Sequence, residues 1–275
     1  MLILMLACDG PAEPPEAAAP PAEAAPPAEP SAPVDPRMAE MFSEAQRTAI
    51  AEQKAAFEGI STASEFATTF RAHKALASDL SDVLQERYDM VMDSDQFGNM
   101  DLSWLKPHLP AMQEGYFAEG TAIQLLLMPK PWAERAAATP EPEDDAFLAF
   151  MALAYHNPGA SGWSLWNVRN WDYGGCSGLG TGVYASTLQA ADKALASGDR
   201  FKPEINEVRQ RLMNDLLTEE STFGWCNPQT MEATPTEDLS AEAQRILETV
   251  KLSDEEKAKI QARISANFAL DVISG

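Results

Sequence analysis

The residues best suited to chemistry lie between positions 172 and 182, where the sequence reads DYGGCSGLGTG. Cys176 stands among five glycines, and a stretch with helical periodicity, VYASTLQAADKALASG, follows it. Three interpretations are open at this point. Cys176 could be a nucleophile at a helix N-terminus, where thiol pKa values are lowered. The glycine N–H groups could hold a phosphate, or Cys176 could belong to a disulfide in a loop that needs glycine.

The surrounding sequence argues against the first two interpretations. Cys-Ser-Gly-Leu at 176–179 resembles the nucleophile motif of cell-wall cysteine peptidases of the NlpC type, in which the catalytic His follows the Cys on a later strand. Here all three histidines precede Cys176. Gly178, Gly180 and Gly182 lack both a preceding strand and the Gly-Lys-Ser/Thr of a phosphate loop. We therefore expect these glycines to form turns with positive φ.

The N-terminus, MLILMLACDG, carries the most specific signal. An apolar run, the small residue Ala7 and then Cys8 resemble the end of a bacterial lipoprotein signal peptide. The resemblance implies lipid chains such as palmitate on Cys8, a location in the bacterial cell envelope, and no cofactor besides the covalent lipid. No basic residue precedes the apolar run, so we expect the start codon to lie upstream.

The number of cysteines supports the third interpretation, in which Cys176 forms a disulfide, because it offers Cys176 a partner. The chain has three cysteines. If Cys8 carries lipid, Cys176 and Cys226 remain in an oxidising compartment, where two cysteines most simply form a disulfide. Such a bond would close a loop of about 50 residues and contribute roughly 4 kcal/mol.

The next segment has the composition of a tether. Residues 9–36 contain ten prolines, nine alanines, six acidic residues and no basic residue, so they have too little apolar surface to form a core. Proline density favours an extended chain that reaches about 80–90 Å. The sequence thus predicts a truncated signal peptide at 1–7, an acylated and disordered arm at 8–36, and a helical domain at 37–275.

The overall charge limits the partners. With 42 acidic and 20 basic residues, the chain has a formal net charge of −22, which repels nucleic acid and anionic membrane surfaces. The longest apolar runs fall well short of 18 residues, so we expect no membrane-spanning helix. The expected partners are the membrane, through the lipid, and an envelope protein or glycan.

Helical signals dominate the domain, and the fold class that we expect is all-α, with an irregular Trp- and Gly-rich segment from about 157 to 180. Amphipathic periodicity and capping boxes mark the expected helices. They span 37–59 and 181–198, and the others start at Thr62, Pro110 (running through Leu127), Thr139, Pro203, Ser240 and Ser253.

A weak metal candidate lies at 93–104. The sequence DSDQFGNMDLSW resembles a calcium loop of the EF-hand type, with Asp93, Asp95 and Asp101 at loop positions 1, 3 and 9. It departs from that pattern at Trp104, which stands where the bidentate Glu belongs. A polar turn between helices is the simpler interpretation.

Glu-Ser-x-Phe, beginning at Glu220, resembles the catalytic-acid motif of lysozyme-like lytic transglycosylases. In that family the Glu is a general acid whose pKa is raised by an apolar pocket. The family's downstream Gly-Leu-Met-Gln segment is absent here. Glu220 therefore defines the alternative function, a peptidoglycan lytic enzyme.

Aromatic residues form the remaining candidate surface. They can stack on sugars or hold a peptide when exposed, and otherwise form a small core beneath the loop. The expected function is non-catalytic binding or scaffolding in the envelope, through a surface of Trp163, Trp166, Trp171, Tyr173 and Trp225.

The lytic alternative makes a direct prediction. A Glu220→Gln variant keeps the shape of the side chain and removes the acidic proton, so it should abolish peptidoglycan clearing by an active wild type. The measurement is a turbidity assay on purified peptidoglycan. Absence of clearing by the wild type would rule out the alternative.

Overall fold

The structure is a computed structural model, and its described residues all belong to one unit, Asp35–Gly275. It describes residues 35–92, 102–109, 111–117, 122–155, 164–170, 174–217, 224–227, 230 and 232–268.

The expected all-α class is confirmed, because helices make up most of the described part of the chain. Two small antiparallel hairpins, β1–β2 and β3–β4, accompany them. In chain order the elements are α1 (Pro36–Met41), α2 (Glu44–Glu58), α3 (Ala63–Met92), a short 3-10 helix (Ser103–Leu105), β1 (Met112–Phe117), β2 (Ala122–Leu127), α4 (Pro129–Ala136), α5 (Pro142–Ala154), β3 (Asn167–Asn170), β4 (Gly174–Ser177), α6 (Val183–Ser197), α7 (Lys202–Leu217), α8 (Thr236–Thr249) and α9 (Asp254–Ser265). Among the described helices, none has the length and apolarity needed to cross a membrane.

Both expected capping boxes form. Glu65 accepts a hydrogen bond from the N–H of Thr62 at 3.1 Å, while the Thr62 hydroxyl accepts one from the N–H of Glu65 at 3.2 Å. Ser253 and Glu256 make the same reciprocal pair at the start of α9. Each box satisfies backbone donors that a helix leaves without an internal partner.

Two expectations about where helices begin are wrong. The stretch from 37 to 59 is not one helix but two, because Ser43 caps a new start at α2. Ser240 does not cap α8 but lies inside it, since α8 already begins at Thr236. Acidic residues in the first turn of α8 favour this earlier start through the helix dipole.

The helix expected from Pro110 through Leu127 is also wrong: residues 112–117 and 122–127 are the paired antiparallel strands β1 and β2, with Met112 opposite Leu127. The strands form here because side chains of α3 accept hydrogen bonds from β2. The Ser81 hydroxyl accepts a hydrogen bond from the N–H of Leu125, and Gln85 Oε1 accepts one from Ile123, each at 2.8 Å. These helix side chains satisfy the outer edge of β2 and hold it against α3.

An aromatic cluster forms the centre of the core. The ring of Trp132 meets those of Phe57, Phe66, Phe70 and His73 edge-on, with centroids 5.0–5.3 Å apart. All five residues are buried. Edge-to-face pairs add stability beyond the area that they bury, so α2, α3 and α4 are joined at one point.

Helix α5 is central, as its nearly continuous apolar sequence predicts. Phe147 and Phe150 are fully buried. Phe147 stacks on Phe201, which lies just before α7, with ring centroids 4.2 Å apart. The core therefore extends from the aromatic cluster to the second half of the chain.

The aromatic cluster predicts a large effect of Trp132→Ala. We expect the free energy of unfolding to fall by about 3–5 kcal/mol, the cost of truncating a buried Trp. Urea unfolding measures it. Leu153→Ala is the control, because Leu153 is 42% exposed on α5 and should change stability by less than about 0.5 kcal/mol. Equal losses in the two variants would contradict the proposed role of the cluster.

Candidate functional site

The structure describes only part of the candidate site. Cys176, Cys226, Trp166 and Trp225 are described. The remaining candidates lie outside the described residues: Cys8, Asp93, Asp95, Asp101, Trp163, Trp171, Tyr173 and Glu220.

Cys176 and Cys226 are paired at disulfide distance, with Cα atoms 5.5 Å apart. Backbone hydrogen bonds reinforce the junction: the N–H of Ser177 donates to the carbonyl of Gly224 at 3.1 Å, and the N–H of Cys226 donates to the carbonyl of Ser177 at 3.0 Å. Both cysteines are buried. Cys176 is therefore a structural residue that ties β4 to the segment after α7, rather than an accessible nucleophile.

The N–H groups of the glycine loop are directed at one buried carboxylate. Glu242 on α8 accepts hydrogen bonds from the N–H groups of Gly180 at 2.5 Å, Gly182 at 2.9 Å and Ala185 at 2.9 Å. Gly180 and Gly182 have φ of 90° and 88°, and a Cβ on Gly180 would lie 2.3 Å from Thr234 Cγ2. Only glycine fits at position 180.

This arrangement explains why the loop resembles a phosphate cradle. Its N–H groups and the start of α6 do surround an anion, but the anion is the chain's own carboxylate. Sequence reasoning missed Glu242, although a signal exists. Leu239, Ala243 and Ile246 are the buried face of α8, and Glu242 lies on that same face.

Tyr184, in the first turn of α6, is fully buried beside this loop. Burial raises the pKa of its hydroxyl well above the usual value. The negative charges of Asp215 and Glu242 raise that pKa further, while the nearby Ser177 side chain opposes the rise. Tyr184 therefore stays neutral at physiological pH and has a structural role here.

The expected aromatic surface needs a correction at Trp166 and Trp225, which are only 3% and 8% exposed. Trp166 donates from Nε1 to Asp215 on α7 at 2.8 Å. Trp225 lies edge-on to Phe268, with ring centroids 6.0 Å apart. The hairpin β3–β4 and the cysteine pair turn these two rings inward, so they serve the core.

Position 104 also departs from the calcium-loop pattern in the structure. Trp104 lies in the 3-10 helix and packs under the guanidinium of Arg37, 4.6 Å from the ring centroid. Among the described residues, His, Cys, Asp and Glu form no group of three or more that could hold a metal ion. The acidic residues of that loop lie outside the described part.

Two open grooves flank α7. The first, of about 410 Å³, runs between α3 and α7. Arg71 on its rim donates to Glu204 and to the carbonyl of Arg200. Burial raises the pKa of Glu204, but the hydrogen bond from Arg71, a backbone hydrogen bond and the positive charges of Arg71 and Lys74 together outweigh it, so this pKa lies below its usual value.

The second groove, of about 460 Å³, lies between α7 and α9 and is called here the α7–α9 groove. Its walls carry amide, hydroxyl and charged side chains together with Met213 and Leu217. Both grooves fall within the usual size range of ligand sites.

Comparisons with protein-family models, with curated proteins and with solved structures find no match.

Removal of the Glu242 carboxylate should destabilise the domain strongly. Glu242→Ala removes the acceptor of one buried N–H group, that of Ala185, and of two part-buried ones, those of Gly180 and Gly182. This loss should lower the free energy of unfolding by roughly 3–5 kcal/mol. Denaturant unfolding measures the loss. Glu248→Ala, on the exposed side of the same helix, is the matched control and should change stability by less than about 0.5 kcal/mol.

Glu242→Gln separates charge from shape. The amide oxygen still accepts hydrogen bonds but carries no negative charge, so the loss should fall between those of Glu242→Ala and the control. If Glu242→Ala and Glu248→Ala unfold alike, Glu242 is not the residue that joins α8 to the loop.

Proposed function

We propose that this chain is a lipoprotein of the bacterial cell envelope. In this proposal lipid on Cys8 anchors the chain, the Pro-rich arm spaces it from the membrane, and the helical domain binds another envelope component without catalysis. The partner is an envelope protein or a glycan.

The observation that carries the proposal is the pairing of Cys176 with Cys226 at disulfide distance. Structural disulfides persist in exported proteins and are rare in the cytosol. Because the chain has three cysteines, the pair leaves Cys8, which follows Leu-Met-Leu-Ala as in a lipoprotein signal. Three cysteines thus divide into one pair and one acylation site.

The composition of the arm fits this arrangement. Residues 9–36 have no basic residue to attract them to an anionic membrane, and their prolines favour an extended chain. The result would be a spacer of about 80–90 Å. Several acyl chains on one cysteine would supply stable anchoring, since each buried CH₂ contributes about 0.8 kcal/mol.

The side chains around the glycine loop support a binding role over a catalytic one. Cys176 and Ser177, the nucleophile types of this region, are buried, and Cys176 is paired. Glu242 accepts hydrogen bonds from three backbone N–H groups, which hold it in a structural role. Concave surfaces available to a partner in the described part of the chain include the two grooves beside α7.

Anchoring is tested by the fate of Cys8. Expressed in a bacterium from its genomic coding sequence, the wild type should appear in the membrane fraction and incorporate labelled palmitate. Cys8→Ser should lose the label and leave the membrane fraction, because the thiol is the site of acylation. Mass spectrometry of the N-terminal peptide that carries Cys8, released by proteolysis of the purified protein, gives the number of acyl chains.

The control is the double variant Cys176→Ser/Cys226→Ser, which removes the disulfide and should keep the palmitate label. An unmodified N-terminus in the wild type, or a Cys8→Ser protein that stays with the membranes, would refute the anchoring proposal.

A further inference from the structure

The α7–α9 groove has lining residues that together define a ligand chemistry. It lies between two helices, opens to solvent, and has a volume of about 460 Å³. That volume suits a ligand of one to a few rings. The charges, the neutral polar groups and the apolar groups of its walls each restrict what can bind.

The four charged side chains in the groove pair with one another. Arg209 donates to Glu256 at 2.9 Å and also to the carbonyl of Lys251 at 2.9 Å. Lys259 lies 2.7 Å from Glu255, one turn away on α9. Two cations and two carboxylates therefore cancel, and an ionic ligand would have to break an existing pair.

These pairs persist at neutral pH. Burial raises the pKa of Glu256, but hydrogen bonds from Arg209 and Ser253 outweigh it and leave this pKa below its usual value. The hydrogen bond with Lys259 lowers the pKa of Glu255. Both carboxylates are therefore ionised at neutral pH.

Neutral amides supply the hydrogen-bonding groups of the groove. Asn206, Gln210 and Asn214 follow one another at a spacing of four residues on α7, so they form one stripe along the helix. In the part of the chain that the structure describes, the side chains of Asn206 and Gln210 make no hydrogen bond. Each primary amide offers donors and an acceptor side by side.

The apolar part of the groove lies on the same helix. Met213 is buried and Leu217 half-buried, and both line the end of the groove towards the C-terminus of α7. A ligand that fits must therefore be uncharged, rich in paired donors and acceptors, and apolar on one face.

We propose that the α7–α9 groove binds a neutral saccharide. Neighbouring hydroxyls of a sugar ring match the donor and acceptor of an amide, and the C–H face of the ring can pack on Met213 and Leu217. This inference gives the proposed binding role its ligand class and rests on that role. It does not depend on the lipid anchor, so each can fail separately.

The test uses neutral trisaccharides as probes, cellotriose and triacetylchitotriose, titrated calorimetrically into the full chain. We expect a Kd of about 1 mM or below for at least one of them. The double variant Asn206→Ala/Gln210→Ala should raise that Kd by about tenfold, since it removes two hydrogen-bonding side chains.

The matched control is Gln244→Ala, which removes an exposed amide from α8, outside the groove, and should leave the Kd unchanged. Both variants change exposed residues, so their thermal unfolding should match that of the wild type and thereby exclude misfolding. Binding should also be insensitive to salt, because a neutral ligand makes no charge–charge interaction with the groove that salt could screen.

Four results would overturn the inference. One is that neither trisaccharide binds the wild type. Another is that the double variant binds as tightly as the wild type. The third is that binding weakens steeply with salt, which would indicate an ionic ligand. The fourth is that N-acetylalanine methylamide binds as well as the sugars, which would indicate a peptide ligand. Cys8→Ser must bind sugar like the wild type, so loss of anchoring cannot imitate any of these results.

Discussion

The arrangement of the second half of the domain depends on one buried carboxylate. Glu242 reaches from α8 into the glycine loop and accepts three backbone N–H groups at the start of α6. Without Glu242, the buried N–H of Ala185 and the part-buried N–H groups of Gly180 and Gly182 would lose this acceptor, at a cost that is a large fraction of the stability of a domain. The cysteine pair holds β4 beside the same loop, and Trp225 packs next to it. The loop, α6 and α8 are therefore held together by the carboxylate of Glu242.

Local sequence determined much of the helical framework. Thr62 with Glu65, and Ser253 with Glu256, are reciprocal caps within four residues of each other, so both partners appear in any short window of sequence. The cysteine pair was also predictable, because the argument needs only the number of cysteines and the expectation of an oxidising compartment. The burial of α5 follows from an apolar sequence with no polar face.

Features that depend on distant partners could not be predicted in this way. Residues 112–117 and 122–127 form paired strands because Ser81 and Gln85, some 40 residues earlier, accept hydrogen bonds from the outer N–H groups of β2. Trp166 is turned inward by Asp215, 49 residues later. Glu242 satisfies a loop about 60 residues away. In each case the two hydrogen-bonding partners are far apart in the sequence, so a short-range pattern contains only one of them.

The covalent connection between Cys176 and Cys226 also has a mechanical meaning. Helices α6 and α7 both lie between these cysteines, so a chain pulled from its ends cannot extend that segment while the bond is intact. A separation of 50 residues corresponds to roughly 170 Å of extended chain. Helix α9 follows Cys226 and remains on the load path. The two walls of the α7–α9 groove therefore differ under tension: α9 can be peeled away, while α7 is protected within a closed covalent loop.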